Sequence, residues 1–146
     1  MEKKNQKISN EVNVEINNRT KNKIDLVLVK KVAEKFLESK NKKKFNVSIA
    51  FVSDNEIKNL NKRYRKINKV TDILSFAGEE NFLGEIVISY AQIRRQAKKF
   101  NNKPKDELVF ILVHGLLHLL GYDDRTETGR KKMEKLGDKF IKSVKL

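Results

Sequence analysis

The chain has 146 residues, enough for one domain with a sizeable core and too few for two ordinary ones. Its 33 Lys and Arg against 19 Asp and Glu leave a formal charge of +14 at pH 7, which draws it toward polyanions: RNA, DNA or an anionic membrane face. With no cysteine it has neither a disulfide framework nor a thiolate zinc site, so a transition-metal site must use carboxylates and its only 2 histidines.

Residues 1–10 are polar and read as a flexible tail, with the domain proper over 11–146. Val12, Val14 and Ile16 then alternate with polar residues, as a half-buried strand would. From Ile24 to about Ser39, Leu28, Val29, Val32, Ala33, Phe36 and Leu37 recur at helical spacing and predict an amphipathic helix, ended by the turn Lys40 to Lys44. Phe45, Val47, Ile49 and Phe51 predict a second strand. Ser53 with Glu56 is a capping-box pattern, opening a helix with Ile57, Leu60 and Tyr64 on one face and an end near Lys66 to Lys69. Ile73, Leu74 and Phe76 predict a short strand, and Ile86, Val87 and Ile88 another after Gly84.

Tyr90 to Phe100 reads as a helix with Ile93, Ala97 and Phe100 inward and Arg94, Arg95, Lys98 and Lys99 outward. Pro104, the only proline, suits the first turn of the next helix. That helix, LVFILVHGLLHLL, is apolar nearly all round and should be the buried centre of the fold. Gly121 fits its left-handed C-terminal position. A last helix from about Thr126 to Val144 turns Met133, Leu136, Phe140 and Ile141 inward. Strands first and helices later argue an α+β fold, a small sheet with helices over it.

The N-terminus lacks an apolar signal segment, and the longest oily run, Leu108 to Leu120, is well short of the roughly 20 residues that span a bilayer. A cytoplasmic protein with no membrane partner is the expectation. Much of the lysine can reflect either A- and T-rich codons or a binding surface. Arginine resists that bias, so Arg19, Arg63, Arg65, Arg94, Arg95, Arg125 and Arg130 are individually more informative.

His114 and His118 lie four apart in HGLLHLLGYDD, on one helix face, where both imidazoles can reach one ion. Two readings stand: a pair of core histidines satisfied by hydrogen bonds, and a metal site. Gly115 leaves room beside them for another chain segment or a substrate. A third ligand must come from outside this helix, and Tyr122, Asp123 and Asp124 return past its end, where a carboxylate can reach the ion. Asp124 with Glu127 also forms a D-x-x-E pattern suited to capping the last helix, so its role is open. Gly115 stands where H-E-x-x-H peptidases carry their glutamate base, which argues against that chemistry.

HGLLHLLGYDD resembles the H-G-x-L-H-L-x-G-Y-D-H signature of the YbeY family, bacterial metal-dependent endoribonucleases of ribosomal RNA maturation. LNKRYRKINKVTDILSF (Leu60 to Phe76) is similar to the family's L-N-x-x-Y-R-x-x-D-x-x-T-D-V-L-S-F, and LGEIVIS (Leu83 to Ser89) to L-G-D-I-V-I-S. Three motifs in order and at fitting spacing, over roughly the C-terminal two-thirds of the chain, are far more specific than any one.

The resemblance implies a zincin-like α+β fold: a small mixed sheet of about four strands with about five helices, and a central buried helix carrying the metal-binding histidines. It implies one zinc ion per chain on His114, His118 and Asp124, with Arg65 and His114 as catalytic positions. Where the family usually has a third histidine, this chain has Asp124, still a competent zinc ligand but one whose charge makes the metal a weaker Lewis acid. Arg65 matches the arginine of the Y-R element and can hold a phosphate through two parallel hydrogen bonds. The family's aspartate beyond it is Asn68 here, so charge pairing from that position is lost. Asp72 and Asp123 match family positions and are expected in supporting roles, Asp123 beside a histidine, or as turn residues.

By that resemblance the chain cuts single-stranded RNA, with 3′-end maturation of 16S ribosomal RNA and ribosome quality control as its setting, and the small ribosomal subunit and a ribosome-associated GTPase as partners. A non-catalytic ribosome-assembly or RNA-binding factor with a structural or absent metal is the alternative. A hydrolase of another substrate is disfavoured by the absent glutamate and by the charge.

Overall fold

Alternation of apolar and polar residues builds four strands: β1 (Val14–Asn18), β2 (Asn46–Phe51), β3 (Ile73–Ala77) and β4 (Phe82–Ile88). The computed structural model describes residues 13–144, so the expected tail over 1–10 and Val12 of the first strand lie outside the described residues. The sheet order is β1-β2-β4-β3. β1, β2 and β4 are parallel, and β3 pairs antiparallel with β4 as an edge strand.

Among the described residues five helices surround the sheet: α1 (Leu26–Ser39), α2 (Asp54–Arg65), α3 (Tyr90–Lys99), α4 (Pro104–Leu119) and α5 (Glu127–Ser143). Side-chain oxygens satisfy free amides where four of them begin: Asp25 accepts from Leu28, Ser53 from Glu56, Ser89 from Gln92 and Thr126 from Gly129. Pro104 takes the first turn of α4, as expected.

The period of two sorts strand residues between the faces. Val47, Ile49, Phe51, Ile86 and Ile88 join the larger core with residues of α1, α3, α4 and α5, while Ala50, Val52, Leu74 and Val87 meet Ile57 of α2 in a smaller one. In α4, Leu108, Leu112, Val113, Leu116 and Leu117 are almost wholly buried, and the helix touches β3, β4, α1, α3 and α5. The oily helix is therefore the centre of the fold, as its composition predicts.

Two residues expected inward point to solvent: Tyr64 is 57% and Phe100 63% exposed. Phe100 is the residue that caps α3, past its last turn, where helical periodicity no longer sets a direction. Tyr64 overhangs the end of the smaller core and rests its ring edge on Phe76, centroids 5.2 Å apart. The buried position on that turn goes to Asn61, whose amide donates to the Lys69 carbonyl at 3.0 Å and ties down the loop into β3.

Ser89, also buried, links two helix starts: besides capping α3 it donates to Asp54 of α2 at 2.8 Å. The Arg95 guanidinium, 2.9 Å away, holds the Asp54 carboxyl below its usual range against the opposing effect of burial, with help from Ser89. A depressed folded value means that this contribution is complete above about pH 4 and fades as pH falls through the folded value. Urea unfolding should therefore find Asp54→Asn less stable than the native chain at pH 7, with the gap closing near pH 2.

Gly84 has φ 149°, and a Cβ there would overlap the Phe76 carbonyl and lie 2.7 Å from Leu119 Cδ2 of α4. Gly84→Ala should cost about 2 kcal/mol through strain and overpacking. That lowers the thermal midpoint by about 4–8 °C for a chain of this size, measurable by circular dichroism.

Candidate metal centre

Burial of α4 on its other sides leaves one face near β3 partly open, and His114 and His118 occupy it with side chains 20% and 29% exposed. Their ring centroids are 4.8 Å apart. Gly115 lies beneath the edge strand: a Cβ there would stand 2.5 Å from Ile73 Cδ1, and the Ser75 hydroxyl donates to its carbonyl at 3.3 Å. The space that glycine leaves is filled by β3, which becomes one wall of the site.

After α4 the chain reverses at Gly121, whose φ of 98° suits a residue without a side chain. The returning loop carries Asp124 Oδ2 to 3.0 Å from His114 Nε2 and 3.4 Å from His118 Nε2. One ligand atom from each of the three residues lies within 4.8 Å of the others. Donors on a tetrahedral zinc at about 2.0–2.1 Å stand about 3.3 Å apart, so the two imidazole–carboxylate distances are close to those of a ligand set. Three protein donors would leave a tetrahedral ion a fourth position for water or substrate, as reactive zinc sites do.

The surroundings orient these donors. His118 Nδ1 is 3.1 Å from the Tyr122 carbonyl; an N–H there must donate, which leaves Nε2 with its lone pair toward Asp124. Phe110 stacks against His114, centroids 6.4 Å apart and 25° between planes. Burial opposes ionisation of Asp124, yet the hydrogen bond with His114 and the electrostatic effect of the two neighbouring imidazoles outweigh it and hold its carboxyl below the usual range.

The competition for Asp124 is resolved by its neighbours. Thr126, not Asp124, caps α5, accepting from the Gly129 amide at 3.0 Å, so the carboxylate is left for the histidines. Asp123, expected either beside a histidine or as a turn residue, takes the turn role: it accepts from the Arg125 amide at 2.8 Å and from its guanidinium at 2.6 Å. Arg125 thereby lowers the Asp123 carboxyl pKa, and this pairing closes the turn. The partner of His118 is a backbone carbonyl, which no side-chain pattern can announce. Gly129 is the other residue that spacing alone missed: its Cα packs so tightly on the Asp123 carbonyl that a Cβ would overlap it.

These side chains open onto a cleft of about 840 Å³, lined by α2, β3, α4, the Asp123–Arg125 turn and α5. Arg65, the last residue of α2, reaches it beside Tyr64, from the far side of the sheet relative to α5. Asp72 lines it too, just before β3; its carboxylate accepts from Gln96 at 3.2 Å and its carbonyl from the Ser89 amide at 2.9 Å.

A buried helix bearing two histidines, a carboxylate returning from the next turn and a small mixed sheet define a zincin-like α+β protein with a His–His–Asp group that can hold a metal ion. The chain belongs to the endoribonuclease YbeY family, whose model matches residues 4–145. It is 40% identical over 118 residues to endoribonuclease YbeY of Endomicrobium trichonymphae, covering 80% of this chain and 84% of that one. It is 35% identical over 148 residues to the protein of the same name from Treponema denticola, covering 94% and 96%. The solution structure of TM1509 from Thermotoga maritima superposes with a TM-score of 0.64 at 31% identity, over 88% of this chain and 86% of that one.

If Gly129 seats the loop that delivers Asp124, Gly129→Ala should weaken divalent-metal affinity about tenfold or more, as loss of an orienting contact does. Titration against a competing chelator measures this, with circular dichroism reporting the retained helix.

Proposed function

We propose that the chain is a zinc-dependent endoribonuclease that cuts single-stranded RNA, within one domain over 11–146. The observation that carries it is the meeting of His114, His118 and Asp124 with Arg65 in one open cleft. Membership of a family named for endoribonuclease activity and the +14 charge agree with an RNA substrate.

Each residue has a task. A divalent ion held by the three donors supplies Lewis acidity toward a phosphoryl oxygen and toward water. Arg65 grips the scissile phosphate through two parallel hydrogen bonds and steadies the charge that builds up there. The Tyr122 carbonyl keeps His118 turned to the site, and Phe110 fixes the ring of His114 and covers one side of it. Asp124 in place of a third histidine adds one negative charge, which tempers the acidity of the ion.

The family resemblance extends the proposal to 16S ribosomal RNA as substrate, to the small ribosomal subunit and a ribosome-associated GTPase as partners, and to the cytoplasm; among the described residues no helix is long and apolar enough to cross a membrane. One observation favours a second reading, a non-catalytic assembly factor: the carboxylate at position 124.

Cleavage of a labelled single-stranded RNA separates the two. Chelation and His114→Ala should each abolish cutting, zinc should restore the chelated native enzyme, and Arg65→Ala should slow it about 10²–10³-fold, the usual effect of losing one charge-stabilising donor. Undiminished cutting by metal-free protein and by His114→Ala would overturn the metal mechanism. Binding without cutting by the native chain, with cutting gained in Asp124→His, would establish the assembly-factor reading instead.

A further inference from the structure

Three arginines, Arg65, Arg125 and Arg130, line the metal cleft, and they are not equivalent. Arg125 is spent on Asp123, bound through both its amide and its guanidinium. Arg65 and Arg130 have no acidic partner among the described residues. Glu127, beside Arg130 at the start of α5, pairs with Lys131 at 3.1 Å, and Glu134, one turn further on and also lining the cleft, makes no ion pair among the described residues. An exposed guanidinium without a carboxylate keeps its full donor set for an incoming anion.

Position matters as much as availability. Arg130 follows Gly129, whose bare Cα lets the first turn of α5 pack directly on the Asp123 carbonyl. The Arg130 amide bonds the Thr126 carbonyl at 2.9 Å, so its backbone belongs to the same tight unit as the loop bearing Asp124. Arg65 comes from α2, which packs on the opposite face of the sheet from α5. A strand of RNA held by both would cross the β3 edge and pass over the histidines.

We infer that Arg130 is a second phosphate anchor, opposed to Arg65, so that two backbone phosphates flanking the metal centre are gripped from elements on opposite faces of the sheet. This rests on the ribonuclease reading and deepens it by assigning a substrate contact on α5.

The test is binding of a short single-stranded oligonucleotide with 2′-O-methyl linkages that resist cleavage, by full-length zinc-loaded protein over a range of salt. Arg94→Ala serves as control, removing equal charge from α3 outside the cleft. Arg130→Ala should bind about tenfold more weakly than Arg94→Ala, as for loss of one charged hydrogen-bonding partner. Its log–log salt slope should fall by about 0.7, the value for one phosphate contact on a single strand. Arg130→Lys should recover the slope more fully than the affinity, because lysine restores the charge without the planar fork. Zinc content and thermal midpoint should equal those of the native protein. Affinity and slope for Arg130→Ala matching those for Arg94→Ala, with the native chain still binding and cutting RNA, would overturn the anchor alone. Failure of the native chain to bind the oligonucleotide at any salt would overturn the ribonuclease reading, and the anchor with it.

Discussion

The close approach of α4 to the sheet edge is the contact on which the rest depends. Two glycines allow it, Gly115 on the helix under Ile73 and Ser75, and Gly84 on β4 under Leu119. Side chains at either position would lift the helix from β3 and β4 and carry both histidines with it. Because α4 is also enclosed by α1, α3 and α5, its orientation is overdetermined, and the imidazoles inherit the rigidity of a packed core. A reactive site on a buried helix is held more closely than one on loops.

The third donor is placed by a different logic. Gly121 to Thr126 is a short turn in which each polar group has its own partner: Tyr122 offers its carbonyl to His118, Asp123 is taken by Arg125, Thr126 caps α5, and Asp124 is left facing the histidines. Had Asp124 capped the helix, His114 and His118 would have had no carboxylate between them. The threonine therefore matters to the candidate metal centre without touching it.

The charges divide similarly. Arg19–Glu56 and Lys131–Glu127 are exposed or half-exposed pairs away from the candidate metal donors, and such pairs contribute little to stability. The cleft differs in holding two arginines, Arg65 and Arg130, that have no acidic partner among the described residues, beside a group that can hold a cation. Excess positive charge on the chain as a whole raises the local concentration of any polyanion.

Much of this was legible in the residues. Helical and strand periodicities placed every described element to within a few residues, the oily run marked the central helix, and the 4-residue spacing of His114 and His118 defined their shared face. Those features follow from local geometry, a period of 3.6 or of 2, which a sequence carries explicitly. Tyr64 and Phe100 were misplaced because periodicity loses its meaning at helix ends.

The pairing order of the sheet, the meeting of Arg65 with the histidines, the Tyr122 carbonyl behind His118 and the choice between Asp124 and Thr126 as cap were decided only in three dimensions. Each depends on which distant segments pack together, or on a competition between chemically equivalent side chains for one backbone amide. Spacing along the chain contains neither. Two histidines and a run of nearby aspartates were written in the sequence; which aspartate serves them was decided by the packing of Gly129 and the cap at Thr126.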